Sequence, residues 1–175
     1  MTAGTSPFDQ LAFSGGGLRC VRQGGFLCVV RDAIGLKPAR ISCISGGALS
    51  AAGFICRRGR TWLDVMTDRF ARAGSNIAWD TFEEDGLTPH QRIYREVIDG
   101  GMVDQAPLPE SGEGATPIRL TRRNDRLPDV AGRTYLWPRD ETPADKIDFT
   151  DPGKLRATRD CGAADGRRYL NARKT

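Results

Sequence analysis

The first third of the chain contains one pattern twice: a short apolar run, a cluster of glycines and a stretch with helical spacing of apolar residues. The first unit occupies residues 8–34 with glycines at 15–17, and the second occupies residues 40–56 with glycines at 46 and 47. Successive units of this kind predict parallel strands joined by helices, hence an α/β fold with a mostly parallel central sheet flanked by helices. Ligands of such sheets bind at the carboxyl ends of the strands, which is where both glycine clusters fall.

Further elements are predicted downstream. Thr88-Pro89 combines an N-cap residue with a first-turn proline and starts a helix that runs to about residue 98. Residues 117–121 and 133–137 have the composition of strands, and residues 110–115 read as an exposed loop. Asp151-Pro152 starts a last helix that extends to about residue 171. We therefore expect residues 1–175 to form a single domain, since a chain of this length buries enough surface for one core.

The charge distribution limits which classes of binding partner are expected. Lys and Arg number 26 against 22 Asp and Glu, a net charge of +4. No basic run is long enough for a nucleic-acid arm and no aromatic residues are interleaved with the arginines, so we expect no nucleic acid partner. Two short clusters, Arg57-Arg58 with Arg60 and Arg122-Arg123 with Arg126, could meet phosphates or anionic lipid, although solvated faces are the simpler interpretation.

The cysteines and the chain start argue for a reduced, soluble protein. Five cysteines, four of them in apolar stretches, predict free thiols in the core. A single histidine and the lack of a CxxC pair make a metal site unexpected, and no cofactor is predicted. The first residues have neither a basic start nor an apolar segment, so we expect a cytoplasmic location. The oligomeric state stays open.

Ser45 is the candidate nucleophile. In Cys43-Ile44-Ser45-Gly46-Gly47 a strand must reverse into a helix within very few residues, and such a turn projects its middle side chain into the open. The segment is a GxSxG elbow except at Cys43, where the pattern has glycine. An ordinary strand-to-helix turn is the alternative interpretation of the same five residues.

The first glycine cluster complements the serine. Consecutive glycines at a helix start direct several backbone amides to one point, which suits a developing oxyanion. The same amides could hold a phosphate. The loop lacks both the Lys-Ser/Thr ending of a P-loop and the last glycine of a dinucleotide fingerprint, so nucleotide binding is less favoured.

A serine nucleophile also needs a base. His90 is the chain's single histidine, and its place in the first turn of a capped helix is typical of a solvated residue. Asp99, followed by two glycines and preceded by Val97-Ile98, is the leading alternative, with an ordinary Asp-Gly turn as the other interpretation. Asp165-Gly166 falls inside the last helix and is expected to be structural.

Three segments, GGGLR, SCISGGALSA and IDGGMVDQAPLP, occur in an order that resembles the patatin-like phospholipases, acyl hydrolases that use a Ser-Asp dyad. The resemblance covers the N-terminal third and a short stretch around residue 100. It implies Ser45 as nucleophile and Asp99 as base. The residues that it implies for the oxyanion hole are Gly15, Gly16, Gly17, Arg19 and Gly46.

The resemblance further implies a layered patatin-like domain that acts on lipid carboxylic esters, with transient contact with a membrane surface. Only 53 residues separate Ser45 from Asp99, so we expect the middle region of that domain to be shortened. A noncatalytic remnant that serves as a lipid-surface or protein-interaction module is the alternative. Phosphate binding by the glycine loop is the third hypothesis.

Overall fold

The computed structural model describes residues 6–73, 75–77, 117–120, 132, 134–148 and 150–174. The predicted helix from Thr88, the Asp99-Gly100-Gly101 segment and the loop at 110–115 lie outside these residues.

The sheet is parallel and has four described strands: β1 (Gln10–Phe13), β2 (Arg40–Cys43), β3 (Pro117–Leu120) and β4 (Thr134–Leu136). Their order is β2-β1-β3-β4, with Phe13 opposite Cys43 on one side and Leu120 on the other. The mixed α/β class with parallel strands is therefore confirmed. The chain passes from β1 to β2 on one side and later to β3 on the other side, so the strand order reverses at β1. Parallel sheets of this kind bind ligands at the carboxyl ends of the strands where the order reverses.

The helical spacing of apolar residues begins at Leu18, but the first α-helix begins three residues later, at Val21. A 3₁₀ turn, Gly17–Cys20, precedes α1 (Val21–Ala33), and the chain leaves the helix through Gly35 at φ 59°. A glycine in this left-handed conformation is the usual helix stop. Residues 21–27 are all buried, so the first half of α1 is enclosed on every side and its polar side chains require partners.

Two helices follow β2. The first, α2 (Gly46–Ile55), begins directly after Ser45, and α3 (Gly59–Ala73) begins four residues beyond its end. Both contact α1. Their short connection terminates α2 with two backbone hydrogen bonds, from Arg57 to the Phe54 carbonyl and from Arg58 to the Gly53 carbonyl, which is a Schellman motif.

The last helix, α4 (Pro152–Ala172), begins as predicted. Asp151 is its N-cap and accepts a hydrogen bond from the Lys154 amide at 3.0 Å, with Pro152 in the first turn. It crosses α1 at very short range, because a Cβ on Gly162 would overlap the Arg22 carbonyl and one on Gly166 would lie 3.0 Å from the Phe26 carbonyl. Only residues without a Cβ permit two helix backbones to approach so closely.

A buried ion pair joins these two helices. The Arg22 Nε donates to Asp165 Oδ2 at 2.9 Å, and another guanidinium nitrogen donates to the Trp137 carbonyl at 2.9 Å. The side chains of Arg22 and Asp165 are 2% and 10% exposed. Desolvation lowers the pKa of Arg22 while its bonds and charge interaction with Asp165 oppose the shift. Asp165 is thus a structural residue, as the sequence suggests.

Apolar side chains from β1, α1 and α2 form the main core. Leu11 and Phe13, two residues apart and thus on one face of β1, pack with a cluster that is completed by Phe8, Phe26, Leu27, Val30, Leu36, Ala51 and Phe54. Tyr169 and Leu170 of α4 pack against its edge. One face of the sheet is therefore covered by helices from both ends of the chain.

The prediction that the cysteines in apolar stretches are core residues is wrong for three of them. All five thiols are free, but only Cys20 is buried, whereas Cys28, Cys43 and Cys56 are exposed and Cys161 is half-buried. Short apolar stretches do not reveal which face of an element the rest of the fold covers. Cys28 lies on the side of α1 next to the start of α3, and Cys56 is the residue that caps the end of α2.

Among the helices that the structure describes, none combines the length with the apolar character that crossing a bilayer requires.

Candidate active site

Ser45 has an unusual backbone. It lies between β2 and α2 with φ 49° and ψ −135°, one of two non-glycine residues at positive φ in the described part of the chain. Holding such a conformation costs on the order of 1–3 kcal/mol, which the surrounding packing must offset. This strained strand-to-helix turn is the geometry of a nucleophile elbow. The sequence predicted the turn, but the backbone angle could only be seen in the structure.

The elbow packs directly against the first glycine loop. A Cβ on Gly46 would overlap the Gly17 carbonyl, and one on Gly47 would lie 2.6 Å from the Ser14 carbonyl. A Cβ on Gly15 would lie 3.5 Å from the Ser45 Cβ. The two glycine clusters thus meet backbone to backbone beside Ser45, and side chains on them would push the two segments apart.

The glycine loop itself requires glycine at its turn. Gly16 has φ 150° and Gly17 has φ 59°, conformations that residues with a Cβ rarely adopt. A Cβ on Gly17 would also overlap the Lys146 carbonyl. The spacing of the loop from the elbow therefore depends on both its conformation and its lack of side chains.

Buried polar groups hold the start of the loop. The Gln23 Nε2 donates to the carbonyl and to the hydroxyl of Ser14, at 2.9 and 3.1 Å, and the Cys20 thiol donates to the same carbonyl at 3.4 Å. From α2, the Ser50 hydroxyl donates to the Cys20 carbonyl at 2.8 Å. These bonds lie in the protein interior, where competition from water is weak, so they rigidify the loop.

A distant segment closes over the other end of the loop. The Leu18 amide donates to the Lys146 carbonyl at 3.2 Å, and the Arg19 Nε donates to the Ala144 carbonyl at 3.3 Å. The Arg19 guanidinium also lies 4.0 Å from Asp145. The Arg19 side chain thus holds residues 144–146 against the glycine loop. Sequence analysis missed this segment because no local signal marks a contact across 125 residues.

Four amides of the two glycine clusters keep their donor capacity, whereas the Gly47 amide donates to the Ile44 carbonyl at 2.9 Å. Within the described residues, no carbonyl or side chain accepts a hydrogen bond from the amides of Gly15, Gly16, Gly17 or Gly46. Gly46 is also the first residue of α2, where the partial positive charge of the helix dipole is largest. An anion or an oxyanion next to Ser45 would therefore find open donors.

Neither candidate for the base that would accept the Ser45 proton belongs to the described residues. Asp99 and His90 both lie outside them, and no described carboxylate forms a hydrogen bond to the Ser45 hydroxyl. Asp165, the rival acid, is engaged by Arg22 and Arg168 in α4. The structure thus brings Ser45, Gly15, Gly17 and Gly46 together, and the assignment of Asp99 stays a prediction.

Cys43 lies two residues before Ser45 and could compete as a nucleophile. Desolvation raises the pKa of its thiol above the usual value of 9.0. The thiol is therefore almost entirely protonated at neutral pH, and a thiol is a far weaker nucleophile than a thiolate. Of the two side chains, Ser45 is the one that the turn places beside the open amides.

A carboxylate with a lowered pKa, Asp148, follows the segment that contacts the glycine loop. Asp148 accepts hydrogen bonds from the Thr150 hydroxyl at 2.7 Å, from the Thr150 amide at 3.0 Å and from the Asn76 side chain at 3.2 Å. These bonds, the hydroxyl's first, lower the pKa of Asp148 from 3.8 to about 2. Because the folded pKa is lowered, the stabilisation is present above about pH 4 and is lost as the pH falls towards 2.

We expect an NMR titration of the Asp148 carboxyl carbon to have its midpoint near 2. Replacing Thr150 with valine should raise this midpoint, because it removes the strongest of the three bonds, whereas Thr150→Ser should leave the midpoint low. A midpoint near 3.8 in the wild-type protein would show that these hydrogen bonds to Asp148 do not form.

Comparisons of the chain with protein-family models, with curated proteins and with solved structures found no match. The function must therefore be argued from the geometry of the site.

Proposed function

We propose that the protein is a serine acyl hydrolase that cleaves lipid carboxylic esters, with Ser45 as its nucleophile. The observation that carries the proposal is the strained backbone of Ser45 beside open amides of the glycine loop. An ordinary strand-to-helix turn needs no such strain. Strain of this kind is typical of residues whose function depends on their position.

The chemistry follows from these groups together with a base. Asp99, assigned by the resemblance, takes the proton of the Ser45 hydroxyl as its oxygen attacks the ester carbonyl carbon. The amides of the glycine loop and of Gly46 stabilise the tetrahedral oxyanion. The bond to the alcohol then breaks, and the alcohol leaves with the proton held by Asp99. Asp99 then takes a proton from water, whose oxygen attacks the acyl carbonyl carbon, and the bond to Ser45 breaks. The free carboxylic acid leaves while Asp99 returns the proton to the Ser45 oxygen.

The substrate class and the finer fold belong to the same proposal. The resemblance of GGGLR, SCISGGALSA and IDGGMVDQAPLP to patatin-like phospholipases favours a phospholipid or a lysophospholipid. It also favours a layered patatin-like domain that is shortened between Ser45 and Asp99. The parallel strand order, with the glycine loop at the point where the order reverses, is compatible with that fold.

A fluorophosphonate probe tests the proposal directly, because it reacts covalently with an activated serine. We expect stoichiometric labelling of the folded protein on a peptide that contains Ser45, and none in Ser45→Ala. Ser50→Ala is the matched control: it removes a serine hydroxyl from the same segment, and that hydroxyl is buried and hydrogen-bonded to the Cys20 carbonyl. Labelling should survive in this control.

A noncatalytic lipid-surface or protein-interaction module is the second candidate. It is favoured by one observation, that only 53 residues separate Ser45 from Asp99, which leaves little chain to deliver the aspartate to the serine. This candidate predicts a cooperatively folded protein that the probe leaves unlabelled. That single result would decide against the hydrolase.

A further inference from the structure

A second site lies at the other end of α2. Helices α1, α2 and α3 enclose a cavity of about 230 Å³ between the end of α2 and the start of α3. Its wall includes the apolar side chains of Leu27 and Phe54 and three arginines, Arg31, Arg57 and Arg60. The cavity extends along α2 as far as Ser50. Since α2 has 10 residues and is about 15 Å long, the arginines at its far end lie well away from the elbow at Ser45.

Two of the three arginines have no acidic partner among the residues that the structure describes. Within the described residues, neither Arg57 nor Arg60 forms an ion pair or a side-chain hydrogen bond. Among the described residues of the wall, Asp32 is the one carboxylate, and it is 95% exposed and lies 3.9 Å from the Nε of Arg31. The described wall thus carries three arginines against one solvated carboxylate, an excess of positive charge in a concave space.

One of the three arginines is fixed in place by the fold. Arg31 donates to the Phe54 carbonyl at 2.7 Å, and its guanidinium lies 4.6 Å from the centre of the Phe54 ring. These contacts join α1 to α2 and hold the guanidinium in the wall of the cavity. A pre-positioned guanidinium loses little freedom when it binds an anion.

A second arginine, Arg57, has a left-handed backbone conformation that favours glycine. Arg57 has φ 56° and occupies the position after the end of α2 in the Schellman motif. Glycine is the preferred residue there, because it adopts a left-handed conformation without steric cost. Arginine therefore occupies a position where glycine would relieve the backbone strain, and its side chain lines the cavity.

We propose that this cavity binds a phosphate monoester group, held by Arg31, Arg57 and Arg60 with the ester's first carbons against Leu27 and Phe54. Guanidinium groups match the oxygens of phosphate geometrically and keep their charge at every physiological pH. The site is independent of ester hydrolysis at Ser45. A soluble phosphate ester and the headgroup of phosphatidic acid present the same chemistry, and they can be distinguished by experiment.

The first test measures binding to the full chain. We expect inorganic phosphate and glycerol 3-phosphate to raise the melting temperature, whereas sodium chloride at the same ionic strength should not. In isothermal titration with glycerol 3-phosphate, Arg60→Ala should raise Kd by about tenfold or more, the loss expected for one charge-assisted contact. Arg58→Ala is the matched control, since it removes the same charge from a neighbouring residue that does not line the cavity.

Arg57→Gly separates binding from stability. Glycine relieves the left-handed strain, so the variant should melt at the same temperature as the wild type or higher, yet it should lose phosphate binding by a similar factor. Equal binding by Arg57→Gly, Arg60→Ala and the wild type would overturn the proposal. So would an Arg58→Ala variant that loses as much binding as the other two.

Vesicles identify the source of the phosphate. Co-sedimentation with phosphatidylcholine vesicles that contain phosphatidic acid, but not with pure phosphatidylcholine, would assign the site to a lipid headgroup if Arg60→Ala abolishes it. Binding of glycerol 3-phosphate without such sedimentation would assign it to a soluble ester. Binding of neither would refute the site.

Discussion

Replacing Ser45 with alanine is expected to abolish hydrolysis of a short p-nitrophenyl ester while the protein remains folded. The strained turn holds Ser45 against the glycine loop, with a Cβ on Gly15 only 3.5 Å from the Ser45 Cβ, and alanine removes the proposed nucleophile from this position. Removal of a catalytic serine costs roughly six orders of magnitude in kcat in well-studied hydrolases, so the residual rate should be indistinguishable from background. The measurement is the release of p-nitrophenolate, with circular dichroism to verify folding.

Two variants make this result specific. Ser50→Ala should still hydrolyse the ester far above background, with a modest loss of stability and of loop rigidity through its bond to the Cys20 carbonyl. Asp99→Asn should be inactive if Asp99 is the base. Loss of activity in Ser45→Ala with full activity in Asp99→Asn would keep the nucleophile and exclude this base. Equal activity in Ser45→Ala and the wild type would exclude Ser45 altogether.

The largest loss of stability is expected for Asp165→Ala. This change leaves the Arg22 guanidinium, whose side chain is 2% exposed, with the Trp137 carbonyl and without its carboxylate partner. Breaking a buried pair by removing one partner costs about 3–5 kcal/mol. For a domain of this size that corresponds to a fall in melting temperature of about 6–20 °C. Denaturant unfolding followed by circular dichroism provides the free energy.

Asp160→Ala is the matched control for Asp165→Ala. It removes an aspartate from the same helix, but the side chain is 65% exposed, and its one ion pair within the described part of the chain is with the neighbouring Arg159. A change within about 0.5 kcal/mol is expected there. The double variant Arg22→Met with Asp165→Leu should recover much of the loss, because it removes both charges. If Asp165→Ala were as mild as Asp160→Ala, the ion pair would not join the helices in solution.

Elements with local signals were predicted well. Asp151 caps α4 and Pro152 occupies its first turn, because capping depends on residues within one turn of each other. Gly35 ends the first helical stretch for the same kind of reason. The strands at 117–120 and 134–136 fall inside the predicted runs. The serine turn and both glycine clusters, singled out by their sequence patterns, lie together in the structure.

Features that depend on contacts between distant residues were not predicted. The exposure of Cys28 and Cys43 could not be read from their apolar neighbours, because it depends on which faces other elements cover. The clamp on the glycine loop by residues 144–146 and the Arg22–Asp165 pair join residues more than 120 positions apart. The cavity with Arg31, Arg57 and Arg60 combines a residue of α1 with two that precede or begin α3.

The sequence by itself determined the repeated strand, glycine and helix units, because steric limits on φ and the periodicity of apolar residues are local properties. It also determined where a nucleophile and an oxyanion loop could be. Only the tertiary structure decided that the two glycine clusters touch and that Ser45 is held at φ 49°. The physical reason is that strain at one residue persists only when packing around it compensates, and here that packing comes from segments far apart in the chain.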